Sequence, residues 1–159
     1  MAKMCVTGAA GFIGGHLAEA LLRDGHEVVG LDDFSSGKRE NAALLAKFPK
    51  FTLVEGSIAD PGAARRAIEG ATWVFHLAAI PSVPRSIHDP APSHEVNIDG
   101  TFNVLRAAAE GKVGRVVYAA SSSLISFFFR ALRYPVFCCQ YRFRAGYTPS
   151  FSWWDLSWQ

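Results

Sequence analysis

Thr7-Gly8-Ala9-Ala10-Gly11-Phe12-Ile13-Gly14 decides the reading of this chain. The stretch follows the apolar run Met4-Cys5-Val6 and precedes a helical pattern. A strand that turns through glycines into a helix presents free backbone N–H groups and the positive end of a helix dipole, and both favour a pyrophosphate. Gly8 permits a tight turn without a Cβ penalty. Gly11 lets the backbone approach the phosphates, and Gly14 lets the helix lie close on its strand. The spacing is G-x-x-G-x-x-G rather than G-x-G-x-x-G.

Outward from that turn, strands and helices alternate. Residues 3–7, 27–31, 51–55, 72–76 and 115–119 read as strands, and 12–24, 40–47, 61–69 and 93–110 as helices. Ile13, Leu17, Ala20 and Leu21 form the expected inward stripe of the first helix, with Gly25 just past its end. Asp60 is the expected cap of the third helix, with Pro61 at its first position. Pro81, Pro84, Pro90 and Pro92 place 78–92 in a loop. The alternation implies an α/β fold, a Rossmann-like doubly wound parallel sheet with right-handed crossovers.

Asp32 and Asp33 end the second strand, 18 residues beyond Gly14. A carboxylate there accepts hydrogen bonds from an adenosine ribose diol and repels a 2′-phosphate, which favours NAD over NADP. Asp32 is assigned the ribose and Asp33 a turn cap; Lys38-Arg39 nearby keeps NADP open. Ligands in such sheets lie outside the carboxyl ends of the strands. Ile58 is placed there to cover an adenine face, and the small Ala78 and Ala79 leave room for a dinucleotide. His76 reads as a hydrogen-bonded strand-end histidine rather than a catalyst.

Composition narrows the function classes. A net charge of +2 with 19% charged residues gives no basic surface for nucleic acid or anionic membrane. Lys3 is followed by a strand and a Gly-rich turn rather than an apolar signal region, and no apolar run is long enough to span a bilayer. Cys5, Cys138 and Cys139 make no disulfide framework, which implies a reducing, cytoplasmic compartment. The adjacent pair Cys138-Cys139 lacks the C-x-x-C spacing of a metal or redox site, so no metal is expected.

The character of the chain changes near Leu124. Residues 124–159 hold 12 of the 20 aromatic residues, no Lys, no His and no Glu, and no helical or strand period runs through them. Two readings stay open: a native last strand and helix rich in aromatics, or a non-homologous tail left by a shift of reading frame. The abruptness of the change favours the second. The expected organisation is thus an incomplete dinucleotide-binding domain over 1–123 and an aromatic-rich tail over 124–159.

The first 123 residues resemble the extended short-chain dehydrogenases/reductases, and within them the NAD-dependent epimerase/dehydratase family acting on nucleotide sugars. Thr7 to Gly14 is similar to T-G-x-x-G-F-I-G. Asp32-Asp33 before Phe34-Ser35-Ser36-Gly37 is similar to the family's ribose and adenine-side loop. Gly56-Ser57-Ile58-Ala59-Asp60 resembles G-D-I-x-D, with Ser57 where an adenine-binding Asp is usual. His76-Leu77-Ala78-Ala79 resembles H-x-A-A, and Asn97-Ile98-Asp99-Gly100-Thr101 resembles N-x-x-G-T, in which Asn97 steadies the cofactor loop. Ile80 to Ser86 resembles UDP-sugar 4-epimerases that accept N-acetylated hexosamines, in which the residues matching Ser82 and Val83 lie beside nicotinamide and sugar.

The resemblance implies NAD as cofactor, a UDP-hexose or UDP-N-acetylhexosamine as substrate, and hydride removal from and return to sugar C4. Tyr118 to Ser123 resembles the fifth strand and its serine run, where one hydroxyl hydrogen-bonds the sugar O4. Ser121 matches best, with Ser122 and Ser123 as alternatives. The family's base is a Tyr with a Lys four residues on, whose ammonium lowers the phenol's pKa. Here Tyr134, Tyr141 and Tyr147 are followed at that distance by Cys138, Ala145 and Phe151. The expectation is a chain that binds NAD without turnover, and a family homodimer that is impaired. A non-catalytic dinucleotide-binding protein and an extended-family NAD(P) reductase are the alternatives.

Overall fold

A computed structural model describes residues 1–80 and 87–119. Five parallel strands form one sheet: β1 (Lys3–Thr7), β2 (Glu27–Asp32), β3 (Phe51–Glu55), β4 (Trp73–His76) and β5 (Arg115–Tyr118), in the order β3-β2-β1-β4-β5. The connecting helices are α1 (Phe12–Arg23), α2 (Arg39–Leu45), α3 (Pro61–Ile68), α4 (Pro90–His94) and α5 (Thr101–Glu110), with a π-helical turn at Glu95–Gly100 joining the last two. The chain runs outward from β1 to β3, then crosses to β4 on the other side of β1. That reversal puts a crevice between the carboxyl ends of β1 and β4.

Alternation along the buried strands sorts the core into two layers. Met4, Val6 and Val28 pack with Ala18, Leu22 and Leu45 on the face that α1 and α2 cover. Cys5, Val29, Leu31 and Val74 pack with Ala63, Ala67, Ile68 and Val104 on the face of α3 and α5. Burial pushes the Cys5 thiol up to about 12, so it stays a protonated, inert core residue.

The inward stripe of α1 differs from the expected one. Gly14, Ala18 and Leu22 are buried, whereas Ile13 is 66% exposed. The rotation of the helix is set by backbone approach, not by the most apolar side chains. A Cβ on Gly14 would stand 2.0 Å from the Gly8 carbonyl oxygen, so only glycine can face the strand there.

The last helix also departs from its expected form. Helix begins at Pro90 rather than Ser93, since proline is tolerated in a first turn where its missing N–H has no intrahelical partner. At Glu95–Gly100 the winding loosens to π. Asp60 caps α3 as expected, its carboxylate accepting from the amides of Gly62 and Ala63 at 2.8 and 3.1 Å.

His76 ties β4 to β1 and α5. Thr101 donates to the Asn97 carbonyl at 2.7 Å, so its oxygen is left to accept from His76 Nε2 at 3.0 Å. His76 Nδ1 then accepts from the Thr7 hydroxyl at 2.7 Å, while Thr7 Oγ1 accepts from the amides of Leu77 and Ala78. A second ring proton has no acceptor in this arrangement, and burial holds the imidazole pKa down to about 4.

Two outcomes follow. Gly14→Ala is expected to cost about 1–3 kcal/mol in urea unfolding, whereas Gly15→Ala, whose Cβ meets nothing closer than 3.4 Å, is expected to be neutral or stabilising. The unfolded chain binds a proton at His76 below its ordinary value of 6.5 while the folded chain resists until about 4. Stability contributed by the neutral ring is therefore complete above that window and lost as pH falls through it, by roughly 3 kcal/mol. Chemical unfolding from pH 7 to 4 checks this, and His76→Gln is expected to flatten the dependence.

Candidate functional site: a groove at the sheet switch point

The groove opens at the carboxyl ends of β1, β2 and β4. Its walls include Gly8 and Gly11 of the first turn, Asp32, Asp33, Ser35 and Ser36 after β2, Gly56 and Ile58 after β3, and Leu77, Ala78 and Ala79 after β4. Residues that sequence placed in separate segments thus share one concavity. Leu31, Ile80 and Val96 line it as well. Val96 carried no sequence signal, because its position depends on the π turn.

Gly8 adopts φ +73°, and its amide donates to the Leu31 carbonyl at 2.8 Å. A Cβ there would meet the Ala78 nitrogen at 2.9 Å, so the β1 and β4 turns touch backbone to backbone. Gly11 caps α1 in extended conformation and offers no side-chain acceptor to the first turn. The opening amides of α1 therefore receive no side-chain cap, and amides at a helix start are a favourable setting for an anion. Phe12 and Ile13 do not line the groove, and their side chains are exposed.

Asp32 does more than the sequence assigns it. It is 8% exposed, and its two oxygens accept from the amides of Ala10 at 2.9 Å and Phe34 at 2.8 Å. One carboxylate thereby fixes both the glycine-rich turn after β1 and the loop after β2. Gly37 closes over it: a Cβ there would stand 2.7 Å from Asp32 Oδ1. Asp33 is exposed and accepts from the Ser35 amide at 2.9 Å. Partial burial raises its pKa, but hydrogen bonds from Ser35 and Ser57 outweigh that and hold the carboxyl below its usual range.

Ser57 accepts from the Ala59 amide at 3.3 Å and lies off the groove wall. Ile58 is 3% exposed and packed against Gly100, so it forms groove floor and core together rather than a free apolar lid. Asn97 grips Ile80 by both backbone groups, accepting from its amide at 2.8 Å and donating to its carbonyl at 3.2 Å. Ser82, Val83, Ser121, Ser122, Ser123 and the whole 124–159 tail lie outside the described residues. No cluster of metal-ligating side chains and no helix long and apolar enough to cross a membrane occurs among the described residues.

Comparison with known proteins agrees with this geometry. The chain is 45% identical over 124 residues to a UDP-glucose 4-epimerase of Mycolicibacterium smegmatis, an alignment covering 77% of this chain and 40% of that one. It is 39% identical over 126 residues to a UDP-N-acetyl-alpha-D-glucosaminuronate decarboxylase of Bacillus cytotoxicus, covering 78% and 38%. Its fold is similar to the Thermus thermophilus UDP-glucose 4-epimerase solved with NAD, with TM-score 0.66, 38% identity, and coverage of 75% and 37%. The chain spans about two fifths of the length of these relatives. Residues 4–126 match the model of one family, and the chain belongs to it: the NAD dependent epimerase/dehydratase family.

Proposed function

We propose that this chain is the dinucleotide-binding portion of a nucleotide-sugar 4-epimerase, holding NAD across the carboxyl ends of β1, β2 and β4. The observation that carries the reading is convergence. Gly8 and Gly11 of the turn that opens α1, the carboxylates at the tip of β2 and the small side chains of Ala78 and Ala79 border one groove at the switch point of the sheet. Family membership and the NAD-bound relative support it.

When bound, the dinucleotide supplies a hydride acceptor at its nicotinamide ring. The chain's own residues bind and orient. Gly11, Phe12, Ile13 and Gly14 present amides to the diphosphate, and Asp32 and Asp33 accept from ribose hydroxyls. Asn97 holds Ile80 and with it the start of the segment carrying Ser82 and Val83, the proposed contacts of nicotinamide and sugar. Ser121, with Ser122 and Ser123 as alternatives, is the proposed partner of the sugar O4. The substrate class is a UDP-hexose or UDP-N-acetylhexosamine. The apolar stripe Ile98, Phe102 and Leu105, exposed along the last helix, is the proposed face of a homodimer that is impaired in this chain.

Turnover needs a base for the O4 proton. The four tyrosines, Tyr118, Tyr134, Tyr141 and Tyr147, are followed four residues on by Ser122, Cys138, Ala145 and Phe151, never by lysine. A phenol with pKa of about 10 and no ammonium beside it is a poor base at neutral pH. We therefore propose a chain that binds NAD but does not epimerise. The family match stops at residue 126, close to the compositional break at Leu124, which favours a change of reading frame there.

NADH titrated into the purified chain and followed by fluorescence is expected to saturate at or below millimolar concentration; absence of binding by folded protein refutes the proposal. UDP-glucose and UDP-N-acetylglucosamine are expected to remain unconverted, and appreciable conversion refutes the inactivity. In the coding DNA, a one-base shift after the Ser123 codon is expected to restore a Tyr-x-x-x-Lys.

A further inference from the structure

Lys38-Arg39 follows the loop that closes over Asp32, where a cation would meet a 2′-phosphate. The structure withdraws Arg39 from that task. Its Nη2 donates to Glu55 Oε1 at 2.6 Å and its Nη1 to Glu55 Oε2 at 3.2 Å, a two-pronged pair. The guanidinium carbon also lies over the Phe34 ring, 4.2 Å from its centroid. Glu55 is the last residue of β3 and stands in register with Asp32 on β2.

Phe34 is held by Asp32 in a conformation that costs energy. Its φ of +57° is unusual for a bulky side chain, and its amide is fixed to Asp32 Oδ1 at 2.8 Å. The Arg39–Glu55 pair is widely exposed, 67% and 56%, so it adds little to stability. The two-pronged pair thus stands beside the β2 tip that carries Asp32 and directs the Arg39 cation onto Glu55.

We propose that Glu55 is a specificity residue. By occupying Arg39 it denies a 2′-phosphate the cation that would offset Asp32 and Asp33, and so it sets the preference for NAD over NADP. This rests on the dinucleotide-binding reading above.

The test titrates NADH and NADPH separately into the full chain and into Glu55→Gln, Arg39→Gln and the double variant, at low salt. Glu55→Gln is expected to leave NADH binding within about twofold and to tighten NADPH about tenfold, roughly 1.4 kcal/mol. The double variant is expected to lose that gain, and added salt to shrink it. Lys38→Gln in the Glu55→Gln background is expected to keep most of the gain. Unchanged NADPH affinity in Glu55→Gln with NADH binding intact overturns the proposal, as does a gain that survives removal of Arg39. Failure of wild-type protein to bind NADH overturns the underlying reading instead, and this one with it.

Discussion

The approach of Gly14 to the Gly8 carbonyl is the contact on which the rest depends. A methyl group at residue 14 would stand 2.0 Å from that oxygen. Because nothing larger than hydrogen fits, α1 lies directly against the end of β1, and the turn that opens it, with Gly8 and Gly11, borders the groove. The helix then has to bury Gly14, Ala18 and Leu22, and Phe12 and Ile13 are turned outward. A poorer apolar stripe is accepted because the close backbone approach leaves no other rotation of the helix.

Asp32 makes that arrangement rigid. Its oxygens reach the amide of Ala10 in the first turn and that of Phe34 in the loop after β2. A buried carboxylate with both oxygens satisfied by backbone donors is held firmly in place, and it fixes the segments it joins. The shape of the groove wall at β2 thus rests on hydrogen bonds within the chain. His76 does a similar job across the other half of the sheet, linking Thr7 on β1 to Thr101 on α5 through one neutral ring. Burial keeps that ring uncharged, and the hydrogen bonds leave no acceptor for a second proton.

Much of the fold was legible because its signals are local. The strand centres, the capped start of α3 at Asp60 and the glycine turn all follow from short-range chemistry, and they hold in the structure. Local sequence signals and structure part where two local rules compete. Pro90 and Pro92 break a helix in its interior, yet they stand in the first turn of α4, which tolerates them. The apolar pattern of α1 pointed to Ile13, where a steric requirement at Gly14 prevailed. The π turn at Glu95–Gly100 was not legible: there Asn97 is bound to the backbone of Ile80, a partner 17 residues away.

By itself the sequence determined the parallel α/β alternation, the glycine-rich turn and the acidic tip of the second strand, because each depends on residues a few positions apart. It also determined that no tyrosine has a lysine four residues on, a matter of spacing alone. The tertiary structure decided how Asp32 divides its oxygens, which amides stay open, and that Arg39 faces Glu55 rather than the groove. Those outcomes join segments 16 to 22 residues apart or turn on the shape of a loop, and no local propensity encodes where such partners meet.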